Sequence, residues 1–372
     1  MAGEASGDMH GARLVRAMKM QAPHLAFCGV GGKYLRQEGV EIMYAAEELA
    51  VVGLFEVFAN LKYILQALKG LSNRLRSQRP ALLVLIDFPD FNLILAKRAK
   101  KLGIPVFYYI SPQVWAWRSG RVKTIARRVD KLAVILPFEK SFYEEHGVLN
   151  KVEFVGHPLV DTVRASQGIQ EFRQKYDIDD SKIIIGLLPG SRKGEIKAIL
   201  PDFIAAARLL RQQDKDITFI LPLAPSLNQE DLNLTTVETN DLNIRIIRHE
   251  RYNVMAACDL VMAASGTVTL ELAILQTPMV VAYRISPLTY FFGRRLIKIK
   301  YASLVNLVAG REVVRELLQD DLSAENMQRE LKRIWPGSPQ YKQAQQELAE
   351  VSASLGAPGA SNNAAKLALS LI

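Results

Sequence analysis

Two short stretches in the second half of the chain carry the residue types of a phosphate-binding loop. The first, LLPGSRKGEI (187–196), ends an apolar run with Gly190, Ser191 and Arg192. Glycine permits a tight turn, serine offers a hydroxyl group, and the forked guanidinium of arginine matches the geometry of a diphosphate. The competing interpretation is an ordinary strand-to-helix turn with a surface arginine, and this stretch alone leaves it open.

The second stretch is ASGTVTLELAILQTP (264–278). It places Ser265, Gly266 and Thr267 where an apolar run gives way to a predicted helix. Unpaired N–H groups and the positive end of a helix dipole favour a phosphate at such a place. Glu271 follows about one turn later, where its carboxylate can accept hydrogen bonds from ribose hydroxyl groups. The alternative is a capping motif in which Glu271 complements the dipole.

Acidic residues in the first half of the chain indicate general-base chemistry. IDFPDF (86–91) ends a buried apolar run with Asp87 and Asp90, and Pro89 stiffens the turn between them. A carboxylate at a strand end that faces a cleft is a candidate general base. Helix capping is the competing interpretation for either acid.

Other polar motifs have weaker implications. SPQVWAWRSGR (111–121) joins Trp115 to Arg118 and Arg121, and we expect these side chains to pack and to contact substrate rather than to stack on nucleic acid bases. His157 in GHPLVD is expected to be structural. The histidines and the two cysteines lack metal-ligand spacing, and no GxxxxGK[ST] sequence is present. We therefore predict no metal, no cofactor and no P-loop.

Apolar runs alternate with amphipathic segments along the whole chain, as in an α/β protein. The runs are 25–30, 81–87, 104–110 and 131–136 in the first half, and 182–188, 217–223, 243–248, 259–265 and 278–284 in the second. Continuous apolar strands between helices predict parallel sheets covered on both faces. The restart near residue 182 predicts two Rossmann-like domains joined by a linker near 155–180, and Ser361 is expected to cap a final helix.

Composition and charge fit a soluble two-domain protein with an anionic partner. The 372 residues are 49% hydrophobic and 23% charged, and no apolar stretch is long enough to span a bilayer. No secretory signal is evident, which favours the cytoplasm. The formal charge is +9, and residues 60–131 alone carry fifteen Lys and Arg against three Asp. A phosphorylated substrate, nucleic acid or a membrane surface would suit this excess, and solvated helix faces are the alternative.

Several long motifs follow one another in a family-specific order. They are AGEASGD, IDFPDFN, SPQVWAWR, LPFEKSFYEEHGV, FVGHPLVD, LLPGSRKGE, ASGTVTLELAILQTPMVV and VNLVAGREVVRELLQ. In this order the chain resembles the lipid-A-disaccharide synthases over nearly its whole length. The resemblance implies the GT-B architecture, with two Rossmann-like domains whose parallel sheets face a central cleft. It implies an acceptor-binding and membrane-facing domain at 1–155, a UDP-sugar domain at 156–344, and a C-terminal helix at 345–372 that packs back on the first domain.

The resemblance also implies a reaction. The family is one of inverting glycosyltransferases that join UDP-2,3-diacylglucosamine to 2,3-diacylglucosamine 1-phosphate (lipid X) through a β-1,6 bond and release UDP, a step of lipid A and lipopolysaccharide biosynthesis. Another UDP-sugar enzyme, such as the transferase of peptidoglycan precursors or a UDP-sugar epimerase, fits SPQVWAWR and IDFPDF poorly. A non-catalytic UDP-sugar or lipid-binding protein is the alternative from a different class.

Site roles follow from the resemblance, residue by residue. It implies that Asp90 is the general base, with Asp87 as the weaker candidate. The acceptor cleft is then lined by Glu4, Ser6 and Asp8, and the nucleotide sugar is bound by Gly190, Ser191, Arg192, Ser265, Gly266, Thr267, Glu271, Asn306 and Glu312. Arg192 and the helix start at Ser265 would stabilise the departing UDP, and Glu271 would bind its ribose.

Both implied substrates carry acyl chains, so we expect a peripheral protein at the cytoplasmic face of the inner membrane. The helix predicted at 54–77 mixes large apolar residues with Lys62, Lys69, Arg74 and Arg76, which suits an anionic lipid surface. No nucleic acid partner is expected, and a homodimer stays open. Family members carry a strand before AGEASGD, and Met1 stands where that strand would end. We therefore expect the N-terminal sheet to be one strand short.

Overall fold

The computed structural model describes residues 1–49, 54–117, 119–148, 150–224, 227–235, 240–285 and 300–372. They divide into two compact units. The first unit is Met1–Asp161 together with Leu355–Ile372, and the second is Thr162–Ser354. Residues 345–354, which the sequence prediction placed with the first domain, thus lie in the second unit.

Strands and helices alternate along both units. The strands are β1 (Cys28–Gly31), β2 (Glu41–Ala45), β3 (Leu83–Ile86), β4 (Val106–Tyr109), β5 (Lys131–Val134), β6 (Val152–Phe154), β7 (Ile183–Leu188), β8 (Ile217–Leu223), β9 (Ile244–Arg248), β10 (Leu260–Ala264), β11 (Met279–Tyr283) and β12 (Glu316–Leu318). The helices are α1 (Ala5–Gln21), α2 (Lys33–Gln37), α3 (Ala46–Leu49), α4 (Leu54–Gln78), α5 (Pro89–Lys101), α6 (Val114–Trp117), α7 (Val122–Arg128), α8 (Pro137–Glu145), α9 (Ile169–Lys175), α10 (Lys193–Gln213), α11 (Arg251–Ala257), α12 (Val268–Ile274), α13 (Leu304–Ala309), α14 (Ala324–Arg333), α15 (Pro339–Ser354) and α16 (Ala360–Leu369).

The central sheet of the first unit is parallel and covered on both faces. Its strand order is β3-β4-β5-β6, and Leu85 lies beside Tyr108 in the register. Successive residues of a strand point to opposite faces. Accordingly, Leu85 and Tyr108 pack in the core with α4, α5, α7 and α8, whereas Ile86 and Tyr109 pack with α1 and α16. This arrangement explains the continuous apolar runs and confirms the predicted parallel sheet.

The first two residues join this sheet to the smaller parallel pair β1–β2. The amino group of Met1 donates to the Val84 carbonyl at 2.7 Å, and the Ile86 N–H donates to the Met1 carbonyl at 3.0 Å. Ala2 forms a parallel bridge with Ile86 and donates its N–H to the Val30 carbonyl at 3.1 Å. Met1 and Ala2 therefore lie between β1 and β3.

An apolar cavity of about 160 Å³ lies beside Met1. Side chains of α1, β1, α4 and β3 line it, among them Leu14, Val30, Leu75 and Val84. Among the described residues no named strand lies between β1 and β3.

The second unit is built on a parallel sheet of order β12-β11-β10-β7-β8-β9. Leu187 and Met262 of its central strands are fully buried, and they pack in one core with Phe203 of α10 and Leu331 of α14. α15 packs against α12 and α13, and its Leu348 is fully buried. Burial of this apolar face explains why α15 belongs to the second unit rather than to the first.

Some sequence predictions differ from the structure in detail. The predicted helix near 119–129 is divided into a 3₁₀ turn at Ser119–Arg121 and the helix α7. The final helix has Gly359 at its N-cap, so Ser361 lies inside the first turn and does not cap it. β2, β6 and β12 were not predicted, because they are short and only partly buried.

Two histidines of the first unit, the buried His157 and the partly buried His10, make its stability depend on pH. Burial lowers the pKa of His10 and of His157 to about 4, and the charge of Arg13 adds to the effect at His10. Both rings are therefore neutral at pH 7. A histidine whose folded pKa lies below the unfolded value contributes stability that is complete above about pH 6.5 and is lost as the pH falls toward 4.

We expect His10→Gln to remove part of this pH dependence. Between pH 7 and pH 5 the free energy of unfolding of the unaltered chain should fall by about 2 kcal/mol more than that of the variant. Urea denaturation at both pH values measures the difference. The comparison between chains is needed because Asp87 and Glu139, whose pKa values are raised by burial, change stability in the opposite direction. Parallel curves would contradict a neutral His10 in the folded chain.

Candidate functional site

Each unit has a point at which the strand order reverses, and ligands of open parallel sheets bind beyond the strand ends at such points. In the second unit the chain runs outward from β7 to β9 and then returns to place β10 against β7. In the first unit Ala2 lies between β1 and β3, which follow it on opposite sides. The predicted site loops follow these strands in both units.

The loop after β7 is ordered from within by Glu195. Its carboxylate accepts the Ser191 N–H at 3.1 Å and the Arg192 N–H at 3.4 Å. Gly190 has φ 118°, and a Cβ at that position would lie 2.5 Å from the Glu195 carboxylate. The loop therefore requires glycine there. The sequence prediction named Gly190, Ser191 and Arg192 but missed Glu195.

The Arg192 guanidinium extends into solvent. Its side chain is 82% exposed, and its ion pair with Glu195 has an N–O distance of 3.2 Å. An exposed pair of this kind is weak and contributes about 0–1 kcal/mol. A phosphate group can therefore recruit the guanidinium at little cost.

The loop after β10 turns on Ser265. Its N–H donates to the Ala282 carbonyl and its hydroxyl to the Ala302 carbonyl, both at 2.8 Å. Within the part of the chain that the structure describes, no backbone acceptor takes the N–H groups of Gly266, Thr267 or Val268. These donors stand at the carboxyl end of β10, directly beside the loop that follows β7. Together the two loops offer backbone donors and one cation to an anion.

Glu271 lies behind this loop and has partners that the sequence prediction missed. It is nearly buried, pairs with the Arg251 guanidinium and accepts a long hydrogen bond of 3.5 Å from the Tyr252 hydroxyl. Burial raises the pKa of Glu271, although Arg251 opposes the shift. A carboxylate has several lone pairs, so one cation leaves acceptor positions for other groups.

Asn306 and Glu312 occupy different surroundings. Asn306 is fully buried, its amide group donates to the Val314 carbonyl and to Glu316, and its oxygen accepts the Val313 and Val314 N–H groups. These bonds fix the turn between α13 and β12. Glu312 is exposed and pairs with Arg315 at 3.2 Å.

In the first unit the predicted catalytic loop begins with a strained backbone turn at Asp87 and Phe88, which we call the elbow. Asp87 and Phe88 have φ values of 42° and 48°, a left-handed region that costs a residue with a side chain about 1–2 kcal/mol. The Asp87 carbonyl accepts hydrogen bonds from the Asn92 side chain at 2.7 Å and from the Tyr108 hydroxyl at 2.5 Å. These two buried side chains, neither of them a predicted site residue, hold the elbow.

The elbow places the two candidate bases in different environments. Asp87 is largely withdrawn from solvent, and burial, with the negative charge of Glu4, raises its pKa to about 6. The Asp90 side chain is 77% exposed and pairs with Arg121. The residue pair Asp90–Arg121 joins two of the predicted motifs, IDFPDF and SPQVWAWRSGR.

The opening turn of the chain packs against this loop. Glu4 and Ser6 are exposed, and a Cβ on Gly3 would overlap the ring of Phe88. Asp8 differs from them because it is buried, and its carboxylate accepts the N–H groups of Gly32, Tyr34 and Leu35. Asp8 thus holds the start of α2, whereas Glu4 and Ser6 face solvent.

A buried acid that the sequence prediction missed lies at the end of β5. Glu139 is 1% exposed, and its carboxylate accepts the Trp115 indole N–H at 3.2 Å and the Leu136 and Ile135 N–H groups at 3.0 and 3.2 Å. Burial raises the pKa of Glu139 to about 7, and these three donors oppose the shift. Its position three residues after Leu136, at the start of a helix, is the capping-box spacing that marks such an acid.

His157, in the predicted motif GHPLVD, has a structural role. The His157 N–H donates to the Leu355 carbonyl, and its Nδ1 accepts the Leu159 N–H at 3.1 Å. Arg118 lies outside the described residues. In the described ranges, no group of three or more His, Cys, Asp and Glu is placed to hold a metal ion.

Sequence comparison gives one consistent family. The profile of the lipid-A-disaccharide synthetase family matches residues 1–370. The lipid-A-disaccharide synthase of Geobacter sulfurreducens is 45% identical over 372 residues, which are 100% of this chain and 96% of that protein. The lipid-A-disaccharide synthase of Myxococcus xanthus is 42% identical over 373 residues, with the same coverage.

Solved structures share the fold at low sequence identity. The UDP-GlcNAc 2-epimerase of Neisseria meningitidis bound to UDP-GlcNAc has a TM-score of 0.62 and 12% identity, covering 99% of this chain and 96% of the other. The calicheamicin glycosyltransferase CalG4 has a TM-score of 0.59 and 14% identity, with 97% and 94% covered. These likenesses support the GT-B fold alone. The family profile and the two relatives match the chain over its whole length or nearly so, and this shows the family as well as the fold. The chain therefore belongs to the lipid-A-disaccharide synthase family.

Proposed function

We propose that the chain joins UDP-2,3-diacylglucosamine to 2,3-diacylglucosamine 1-phosphate through a β-1,6 bond, with inversion at the anomeric carbon and release of UDP. The observation that carries the proposal is the family match along residues 1–370. The two loops at the strand reversal of the second unit support it, since they combine an exposed guanidinium with the N–H groups of Gly266 to Val268, which no backbone acceptor in the described part of the chain takes. No observation favours a non-catalytic binding protein.

The second unit supplies the donor half of the proposed mechanism. Negative charge develops on UDP as the glycosidic bond to it breaks. Arg192 and the N–H groups of Gly266 to Val268 can stabilise that charge, because preorganised donors act most strongly on charge that forms in the transition state. Glu271 is assigned to the ribose hydroxyl groups, with Arg251 fixing its orientation. Asn306 and Glu312 stay assigned to the nucleotide-sugar end, Asn306 through the turn that it fixes.

The first unit supplies the acceptor half. The 6-hydroxyl group of the acceptor must lose a proton as it attacks the anomeric carbon on the face opposite UDP. We assign the acceptance of this proton to Asp90, with Asp87 as the second candidate. Glu4 and Ser6 are assigned to sugar hydroxyl groups, and Asp8 to holding the start of α2.

The test is UDP release from UDP-2,3-diacylglucosamine in a coupled assay. Release is expected when 2,3-diacylglucosamine 1-phosphate is present and should fall to background without it. A second incubation with UDP-GlcNAc alone, analysed for its 2-epimer, tests epimerase activity. Epimer formation, or binding of both lipid sugars without UDP release, would overturn the proposal.

We also propose that the protein docks peripherally on the cytoplasmic face of an anionic bilayer, where both lipid substrates reside. On two helices that pack together, α4 and α5, the side chains of Leu61, Leu65 and Ile94 are exposed by 43%, 57% and 45%. Exposed lysines flank these residues at 62, 69, 97 and 101. Apolar insertion combined with basic residues is the pattern of an interfacial surface. No described helix is long and apolar enough to cross a membrane.

The double substitution of Leu61 and Leu65 by Ser should lower binding to anionic vesicles about tenfold or more, because each leucine contributes about 1.5–3 kcal/mol when buried. Vesicle flotation measures the bound fraction. Ile169→Ser is the matched control, since Ile169 is equally exposed but lies in the second unit. Equal binding of the double variant would exclude this surface. Equal binding of the unaltered chain to neutral and anionic vesicles would exclude the contribution of the lysines.

A further inference from the structure

The carboxyl ends of three neighbouring strands bring together Asp87, the second candidate base, and two polar side chains that the proposed mechanism does not use, Trp115 and Glu139. Asp87 follows β3, Trp115 lies in the segment after β4, and Glu139 follows β5. These strands are adjacent and parallel, so their ends meet at one edge of the sheet.

Trp115 is held at two places by the first turn of α8. Its indole N–H donates to the Glu139 carboxylate at 3.2 Å, and its ring meets that of Phe138 edge to face, with centroids 5.1 Å apart. The ring remains only half-buried. An indole that is fixed at its polar edge and partly exposed is a suitable platform for the apolar face of a sugar ring.

The carboxylate of Glu139 is itself fixed by three hydrogen bonds. The Ile135 and Leu136 N–H groups, which belong to the strand end and to the N-cap of α8, fix one carboxylate oxygen, and the other accepts the indole N–H. Every one of these partners is a donor. A neutral amide in this place would set its own N–H₂ group against one of them, which is costly in a buried site.

We propose that Glu139 is a positioning residue for the acceptor, which it serves by fixing the indole of Trp115 as the surface on which the acceptor sugar rests. The inference rests on the proposed function, since it assigns an acceptor contact to the first unit. It predicts an effect confined to one substrate. Loss of the Glu139–Trp115 bond should weaken acceptor binding and leave the donor site in the second unit unchanged.

Steady-state kinetics with both lipid sugars test this assignment. Glu139→Gln should raise the KM for 2,3-diacylglucosamine 1-phosphate about tenfold, the effect of one lost charged hydrogen bond. The KM for UDP-2,3-diacylglucosamine should stay within twofold, and kcat should change less than the acceptor KM. Glu144→Gln is the matched control, because Glu144 is an exposed acid on the same helix.

A second variant separates positioning from a general structural role. Trp115→Phe keeps an aromatic ring but removes the indole N–H, so it should raise the acceptor KM as well. If Glu139 acts through Trp115, adding Glu139→Gln to Trp115→Phe should raise the acceptor KM little further. Additive effects, or equal changes in both KM values, would overturn the proposal. So would an acceptor KM that neither single variant changes.

The experiment also distinguishes a failure of this inference from a failure of the proposed function. Absence of UDP release by the unaltered chain would contradict the function itself, whereas a normal acceptor KM in an active Glu139→Gln enzyme contradicts only this inference. Should Glu139→Gln fail to fold, as a thermal melt would reveal, Trp115→Phe alone still decides whether the indole N–H matters for the acceptor.

Discussion

Asp90→Asn is expected to lower kcat about 10²- to 10⁴-fold and to leave the affinity for UDP unchanged. Asparagine has nearly the same shape as aspartate but cannot accept the proton of the attacking hydroxyl group. Asp90 belongs to the first unit and UDP is assigned to the second, so the nucleotide should not sense the change. Single-turnover rates of UDP release measure the first effect, and calorimetric titration with UDP measures the second.

The pH profile distinguishes Asp90 from Asp87. Burial and the charge of Glu4 raise the pKa of Asp87 to about 6. If Asp87 were the base, kcat/KM would fall as the pH drops through about 6, because protonated Asp87 cannot accept a proton. That limb would then persist in Asp90→Asn and disappear in Asp87→Asn. An Asp90→Asn enzyme that keeps most of its activity would move the assignment to Asp87.

Arg121 provides the matched control for Asp90. Its guanidinium is the ion-pair partner of Asp90, so Arg121→Gln removes the pair without removing the carboxylate. If the carboxylate accepts the proton, Arg121→Gln should retain far more activity than Asp90→Asn. Equal losses would indicate that the pair acts as a structural unit and that neither partner is the base.

The fold was largely predictable because its strongest determinant is a local sequence pattern. Runs such as ALLVLID and ITFILPL are apolar on both faces, which only a covered parallel sheet tolerates, and they became β3 and β8. The short strands β2 and β12 lack this pattern, since most of their residues are only partly buried. Their pairing depends on neighbours that are distant along the chain, and a local pattern does not contain that information.

The sequence predicted which loops form the site but not which side chains pair with the site residues. The sequence placed Gly190–Arg192 and Ser265–Thr267 at strand ends, yet only the strand order sets β7 beside β10 and brings the two loops together. Arg251, which pairs with Glu271, carries no distinctive spacing. Glu195, which pairs with Arg192, has the capping-box spacing at the start of α10, but this spacing predicts a helix start rather than a partner for Arg192. For Asp8 the sequence predicted the wrong kind of partner. Its motif predicted a contact with substrate, but its carboxylate accepts three backbone N–H groups instead.

Arg192→Ala is expected to lower kcat about 10²- to 10³-fold, the effect of removing one preorganised donor from a developing anion. UDP affinity should fall less, because the backbone donors of the loop after β10 remain. Arg192→Lys should recover only part of the rate, since an ammonium group cannot form the two parallel bonds that a guanidinium offers a diphosphate.

Lys197→Ala is the control for a general loss of positive charge, because Lys197 is an exposed cation about one turn further along α10. Its kcat should stay close to that of the unaltered chain. Equal effects of the two alanine substitutions would reduce Arg192 to a contributor of long-range attraction, which added salt would screen. A selective, salt-resistant loss of kcat in Arg192→Ala would instead show that the guanidinium acts on the leaving diphosphate at contact distance.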